Sequence, residues 1–309
     1  MISCFMIVKN VLKQGYPFVE AIASALPICD EFLISDGYST DGTFEILKRI
    51  SSLNKKIRIF RYNWPKTKNL ALLGEVTNAL RRKCKFDYIF YVQANEVIPE
   101  ANVELIKALP EMLPTVYTFS FPFIQLVRKY KITEERRLRF SKNLKGIVAI
   151  GDAWTLGPGR NFIISEIIKN LKNPRNLLRF IGGGIALTYA NYESMFSKAI
   201  YLPKPIFKYW ALFPQNCLEK CKNHAEMFNL KEHYKIIEIL KTKVDDQVSF
   251  WEMASVLIRT ALPLGIKYPG NLGIVDVEDH PKIMRDLLLN SSLKSYYVRE
   301  EVIESIAAL

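Results

Sequence analysis

The amino-terminal part of the chain alternates between short apolar runs and segments whose apolar residues recur every three or four positions. That alternation predicts βα units on a mostly parallel sheet. Residues 2–8 form a nearly unbroken apolar run, as expected of a strand covered on both faces. Residues 17–25 predict a helix with proline in its first turn. Residues 31–35 predict a second strand that stops at Asp36-Gly37, and 43–50 a helix preceded by the capping types Ser39, Thr40 and Asp41. The rhythm continues with strand 57–62, helix 70–82, strand 88–92, helix 100–108 and strand 116–121. Right-handed crossovers between such units bring the strand ends, and with them any ligand site, to one edge of the sheet.

Beyond residue 125 the rhythm loosens. Segments 137–140 and 147–150 predict a hairpin, and 161–173, 216–243 and 247–262 predict amphipathic helices, the last stopped by Pro263. A proline-rich link, Leu202-Pro203-Lys204-Pro205, precedes the helical part. The expected organisation is an α/β core over 1–125, a region over 126–215 that completes it on the acceptor side, and a mainly helical extension over 216–309.

Composition narrows the class. With 309 residues, 49% hydrophobic and 24% charged, the chain is neither disordered nor fibrous, and it is long enough to bury a core without covalent staples. Five scattered cysteines argue for a reducing compartment. Cys217, Cys221 and His224 lack a second ligand pair for zinc, so the two cysteines read as core positions one helical turn apart. No run reaches the ~18 apolar residues of a spanning helix, and the apolar N-terminus lacks signal-peptide features. The expected location is the cytoplasm, or the cytoplasmic face of a membrane.

A net charge of +12 calls for an anionic partner. The densest basic stretch is 128–145, and no helix-turn-helix, RNA-recognition or zinc-finger pattern accompanies it, so nucleic acid is not expected. An anionic membrane face and a phosphorylated small molecule remain. The aromatic-rich segment 180–213 suits either peripheral membrane contact or a core-covering role.

Candidate chemistry gathers at the strand exits. Asp36-Gly37-Tyr38-Ser39-Thr40-Asp41-Gly42-Thr43 puts a carboxylate at the end of a strand, then a tight turn and a helix, well placed to hydrogen-bond a base or a ribose. With the earlier strand closing on Val8-Lys9-Asn10, this segment resembles the nucleotide-sugar glycosyltransferases of family 2, which have the GT-A fold. The resemblance implies a Rossmann-like, mostly parallel sheet flanked by helices, with Val8, Lys9, Asn10 and Asp36 at the nucleoside.

Three further segments extend it. Thr77-Asn78 matches the family's usual Arg-Asn, which implies a donor contact for Asn78. Gln93-Ala94-Asn95-Glu96, after the strand beginning near Asp87, resembles a D-x-D motif in the subgroup that writes it Q-A-D-E. Glu278-Asp279-His280-Pro281 resembles the subgroup's His-Pro element. Together they imply that Gln93 and Asn95 face the diphosphate, and that Asn95, Glu96 and His280 hold a divalent cation, Mn²⁺ or Mg²⁺, which neutralises the leaving group. Here the chain departs from the pattern: Asn95 stands where a carboxylate is expected, and Glu96 is the one acid left in the motif. Retained but weak metal binding, a Lys or Arg in place of the metal, and loss of catalysis are all open, the first being favoured.

Arg137-Leu138-Arg139 and Val148-Ala149-Ile150-Gly151-Asp152-Ala153-Trp154 resemble the subgroup's segment that ends in Gly-Asp-Ala before an aromatic. An inverting transfer needs a base for the acceptor hydroxyl, a role that falls to Asp152, with Asp245 and Asp246 as rivals that also suit helix capping. The function expected is transfer of a sugar from a UDP- or GDP-linked donor to a hydroxyl of a glycan, lipid or protein. A catalytically silent nucleotide-sugar or glycan-binding module on the same fold is the alternative. A nucleotidyltransferase ranks below both, because no glycine-rich basic loop follows Val8.

Overall fold

The computed structural model describes residues 1–65, 72–150, 153, 155–159, 161–162, 164–165, 168, 197–228, 231–261, 273–290 and 295–309. Strand β1 (Ile2–Val8) is buried along its whole length, which explains why polar residues are nearly absent from it. Around it lie β2 (Glu31–Asp36), β3 (Ile57–Arg61), β4 (Tyr88–Tyr91), β5 (Glu96–Val97), β6 (Thr118–Val127), β7 (Tyr130–Lys142), β10 (Ser197–Ala199) and β11 (Ile206–Ala211). They form one nine-stranded sheet of order β3-β2-β1-β4-β7-β6-β11-β5, with β10 beside β6. Strands β8 (Ile147–Ile150) and β9 (Thr155–Pro158) make a separate antiparallel pair.

Five of the eight pairings in the large sheet are parallel: β1 with β2 and β4, β2 with β3, and β6 with β10 and β11. The expected α/β class, a mostly parallel sheet flanked by helices, is what the chain adopts, and the arrangement is consistent with a GT-A, Rossmann-like fold. Helices α1 (Phe18–Ala25), α2 (Thr43–Leu53), α3 (Leu72–Arg81) and α4 (Val103–Met112) connect the strands of the first half. Strand order reverses at β1, with β2 on one side and β4 on the other. Such a switch point leaves a crevice beyond the carboxyl ends of the strands.

The second half departs from expectation in its pairing. Residues 137–140 and 147–150 do not form a hairpin. Segment 137–140 belongs to β7, which folds back on β6 from Val127↔Tyr130 onward, and β8 pairs with β9. The ten-residue β6 is apolar enough to be buried along almost its whole length, so it takes the long partner. The helix expected over 216–243 is two helices, α5 (Pro214–Phe228) and α6 (Lys231–Lys241), followed by α7 (Gln247–Ala261). They cover the tip of the β6–β7 hairpin through Cys217, Cys221, Leu240, Phe250 and Trp251. The described part of segment 180–213 supplies β10 and β11, and every residue of β11 is buried. Residues 180–196 and most of the helix expected over 161–173 lie outside the described residues. Among the described residues, no helix is long and apolar enough to cross a membrane.

Helices α8 (Lys282–Leu289) and α9 (Glu300–Ile306) return to the first layer. Glu20 on α1 is fully buried and accepts hydrogen bonds from the Tyr296 hydroxyl (2.8 Å) and from Arg299 Nη2 (3.2 Å). Burial raises the Glu20 pKa, and Arg299 opposes that rise. All five cysteines are buried free thiols.

Candidate functional site

The exits of β1 and β2 are stitched into one unit by side chains that hold main-chain amides. Asn10, at φ +51°, takes the Thr40 N–H on its Oδ1 at 2.9 Å, while its own N–H donates to Ser39 Oγ at 2.8 Å. The Leu12 N–H donates to Thr43 Oγ1 and the Lys13 N–H to Asp41 Oδ2. Gly42, at φ +95°, lets the turn enter α2 in a conformation that a side chain disfavours. Gly37 is needed for a different reason. A Cβ there would lie 2.7 Å from the indole nitrogen of Trp64, which packs on the turn with Lys9 5.6 Å from its ring centre.

Asp36 sits beneath this turn, fully buried. Its carboxylate accepts the Ser39 N–H at 3.1–3.2 Å and pairs with Arg61 Nε at 3.2 Å, Arg61 being its register neighbour on β3. The Arg61 guanidinium spans the rings of Tyr38 (4.2 Å) and Phe44 (4.0 Å), so Asp36 also orients an aromatic at the exposed rim. Tyr38, Thr40 and Arg61 are exposed members of this group, and Lys9 and Asn10 are half-buried.

Beyond β4 the chain turns through Gln93-Ala94-Asn95 into β5. The Glu96 carboxylate folds back onto the Gln93 N–H (3.1 Å) and receives Arg139 in a two-pronged pair, Nη2 to Oε1 at 2.7 Å and Nε to Oε2 at 3.2 Å. Lys208 Nζ reaches Glu96 Oε1 at 3.3 Å and also bonds the side-chain oxygen of Gln93. Arg137 pairs with Glu135, which in turn accepts from Gln125. The Ala153 carbonyl, from a residue at φ +62°, accepts from Arg139 and from Gln93.

Arg137, Arg139 and Glu96 are at most 2% exposed. Burial alone would raise the Glu96 pKa, but the charges of Arg139 and Lys208 outweigh it and hold the group at about 2. Burial, reinforced by Arg137, pulls Lys208 down to about 7 against the attraction of Glu96. Among the described residues, three cations thus meet two carboxylates in largely buried surroundings.

The remaining residues singled out from the sequence fall elsewhere. Asn78 on α3 has both ends of its amide on the main chain of Ala149: Nδ2 donates to the carbonyl at 2.9 Å and Oδ1 accepts the N–H at 2.8 Å. It ties β8 to the helix. Asn95 is turned inward, its Nδ2 donating to the Tyr209 carbonyl at 3.0 Å while its own carbonyl accepts the Tyr209 N–H. His280 shares a hydrogen bond of 2.8 Å with the Tyr209 hydroxyl and packs 5.1 Å from the Phe207 ring. Phe207 and Tyr209 point to the face of β11 opposite Lys208, so His280 and Glu96 are on different sides of the sheet. Burial lowers the His280 pKa to about 4, leaving a neutral imidazole in the core.

The cation set expected at Asn95, Glu96 and His280 is therefore not assembled. Glu96 is engaged by two cations, Asn95 by main chain, and His280 lies across the sheet. Among the described residues, no group of three or more His, Cys, Asp or Glu side chains converges on a metal site. Asp246 is exposed and caps α7 through the Ser249 N–H (3.2 Å) and hydroxyl (2.5 Å), and Asp245 beside it is exposed. Asp152 and Trp154 lie outside the described residues. Arg139, Lys208 and Glu135 were missed as site residues. Glu135 and Arg139 stand on β7 and Lys208 on β11; the traces in the sequence were the basic stretch 128–145 and Arg137-Leu138-Arg139 within it, with no motif pointing to Lys208.

No protein-family model matches the chain, and no curated protein matches it in sequence. Among solved structures, TarS residues 1–349 of S. aureus in complex with UDP is 13% identical at a TM-score of 0.36, covering 73% of this chain and 64% of that one. A mannosyltransferase from Pyrobaculum calidifontis, in complex with GDP-Man and Mn²⁺, is 14% identical at a TM-score of 0.37, covering 86% and 76%. This chain thus spans just under two thirds of the TarS fragment.

Proposed function

We propose that the protein is a glycosyltransferase that moves a sugar from a nucleoside diphosphate donor, UDP- or GDP-linked, to a hydroxyl acceptor with inversion at the anomeric carbon. The observation that carries this reading is the common edge. β1 and β2 end at the same level, Val8 pairing with Asp36, and β4 leaves the sheet on the other side of β1 at that same edge. Across the sheet the two exits lie two strand spacings apart, about 10 Å, with β4 ending opposite Phe5, three residues before the end of β1, and they flank the topological switch point where open α/β sheets take their ligands. One exit offers a polar turn with an aromatic rim, suited to a nucleoside. The other offers a cationic interior, suited to a diphosphate.

In this reading Asp36 maintains the turn that receives the nucleoside, with Val8, Lys9 and Asn10 as its neighbours, and Gln93 lies toward the diphosphate. Asp152 is the base for the acceptor proton, on the strength of its place in the sequence beside Ala153, whose carbonyl is bonded within the charged cluster. The test is titration with UDP and GDP by calorimetry, followed by assay of sugar release and transfer from a panel of UDP- and GDP-sugars. Nucleotide binding with transfer that Asp152→Asn abolishes is the expected result. Binding without transfer or hydrolysis from any donor would establish the silent binding module instead, and no binding of either nucleotide would remove the reading.

A further inference from the structure

The charged cluster behind β4 has more than a packing role. Replacing a buried ion pair with apolar residues is usually neutral or stabilising, so five buried or half-buried ionic groups are not explained by stability alone. Among the described residues, the cluster sets Arg137, Arg139 and Lys208 against Glu96 and Glu135. Lys208 is the cation held most weakly. Its Nζ is 3.3 Å from a Glu96 oxygen that Arg139 binds at 2.7 Å, and its second partner is the neutral amide of Gln93. The half-buried members are Gln93 and Glu135, so the cluster meets solvent at the end nearest the exit of β4. Glu96, the acid that the motif reserves for a metal, is here the counter-ion that keeps two of the three cations in place.

Resting on the donor reading above, we propose that Lys208, supported by Arg139 and Arg137, is a built-in replacement for the divalent cation. It receives the diphosphate of the donor, so that neither donor binding nor transfer needs a metal. In the transfer, the acceptor oxygen bonds to the anomeric carbon as the bond from that carbon to the β-phosphate oxygen breaks. The bonding pair stays on the phosphate oxygen, and the hydroxyl proton goes to the base, proposed above as Asp152. Lys208 remains protonated throughout and strengthens its hydrogen bond to the oxygen that gains charge. In a site that excludes water, such a preorganised charged donor stabilises the departing group more than it would in solution.

The test uses the full chain and inorganic pyrophosphate, which needs no nucleoside subsite, alongside UDP and GDP. Each is titrated by calorimetry in excess EDTA and again with Mn²⁺. The expected result is pyrophosphate binding in EDTA that Mn²⁺ improves by less than threefold. Lys208→Met should weaken it ~30-fold, the scale of one lost charged hydrogen bond, and Lys208→Arg should retain it. The wild-type comparison of EDTA with Mn²⁺ needs no variant, so the test stands even if Lys208→Met fails to fold. Pyrophosphate that binds only with Mn²⁺, or that binds equally well to folded Lys208→Met, overturns the proposal. UDP or GDP bound strictly with Mn²⁺ overturns it while the donor reading stands. Pyrophosphate held in EDTA with both nucleotides ignored supports the anion site and removes the donor reading.

Discussion

At the exits of β1 and β2, polar side chains are held by main-chain amides within two short loops: Asp36 and Asn10 accept N–H groups from Ser39 and Thr40. Behind β4 the polar groups are held by each other across long stretches of chain. Glu96 is bonded to Arg139 and to Lys208, 43 and 112 residues away. The first region is a folded loop whose interactions are individually modest and partly replaceable by water. The second is a set of desolvated charges, each of which is costly when its partner is removed. A single substitution should therefore blur the first region and break the second.

The largest expected effect is at Arg139. Arg139→Met leaves Glu96 in the core with only the longer Lys208 contact and the Gln93 N–H, and should cost about 3 kcal/mol, read as a lowered urea midpoint. In the double variant with Glu96→Gln the two costs should fall well short of their sum. A loss below ~1 kcal/mol would show the pair to be no stronger than an exposed one, and the contrast would disappear. Next comes Gly37→Ala, whose methyl meets the Trp64 indole nitrogen at 2.7 Å. Overpacking there should cost about 1–3 kcal/mol and shift the tryptophan emission. Asp36→Asn keeps an acceptor for the Ser39 N–H and loses only the charge toward Arg61. It should cost about 1 kcal/mol and weaken UDP or GDP binding; unaltered affinity would detach this residue from nucleoside recognition.

A pH series separates the two regions without mutation. Lys208 faces Glu96, Glu135, Arg137 and Arg139 and titrates at about 7 in the unliganded protein. Below that pH the amine is charged with or without ligand, so its own protonation no longer changes the affinity. Above it, binding a diphosphate must first bring a proton back to the amine. The Lys208 contribution, read as the difference between wild type and Lys208→Met, should thus decline as pH rises from 7 toward 8, while uridine or guanosine affinity stays level. The smallest effect is expected at the exposed cap: Asp246→Asn should move the melting temperature slightly and leave nucleotide binding and transfer unchanged. Abolished transfer there would make it the acceptor base in place of Asp152.

The same division explains what could be read from the chain. The strands and helices of the first half were legible because each is specified by its own period, and the turn after Asp36 because its residue types act on neighbours. Pairing was not legible where it depends on competition. The expected 137–140 with 147–150 hairpin lost to the longer, almost wholly buried β6, and the chain expected as one helix over 216–243 forms separate helices over 214–228 and 231–241, with no proline or glycine to announce the division. His280 illustrates the limit of motif order. Its place in the sequence suggested a return to the site, whereas the alternation of β11 assigns Lys208 to one face and its neighbours Phe207 and Tyr209 to the other.

Glu20 has its partners Tyr296 and Arg299 some 276 and 279 residues downstream. During synthesis, the whole β1–β4 layer emerges from the ribosome long before either can arrive. Until then helix α1 carries an acidic side chain that must stay hydrated, which holds that face of the first layer loose. The packing of α1 in the first layer is consequently completed only once residues 296–299 have been made.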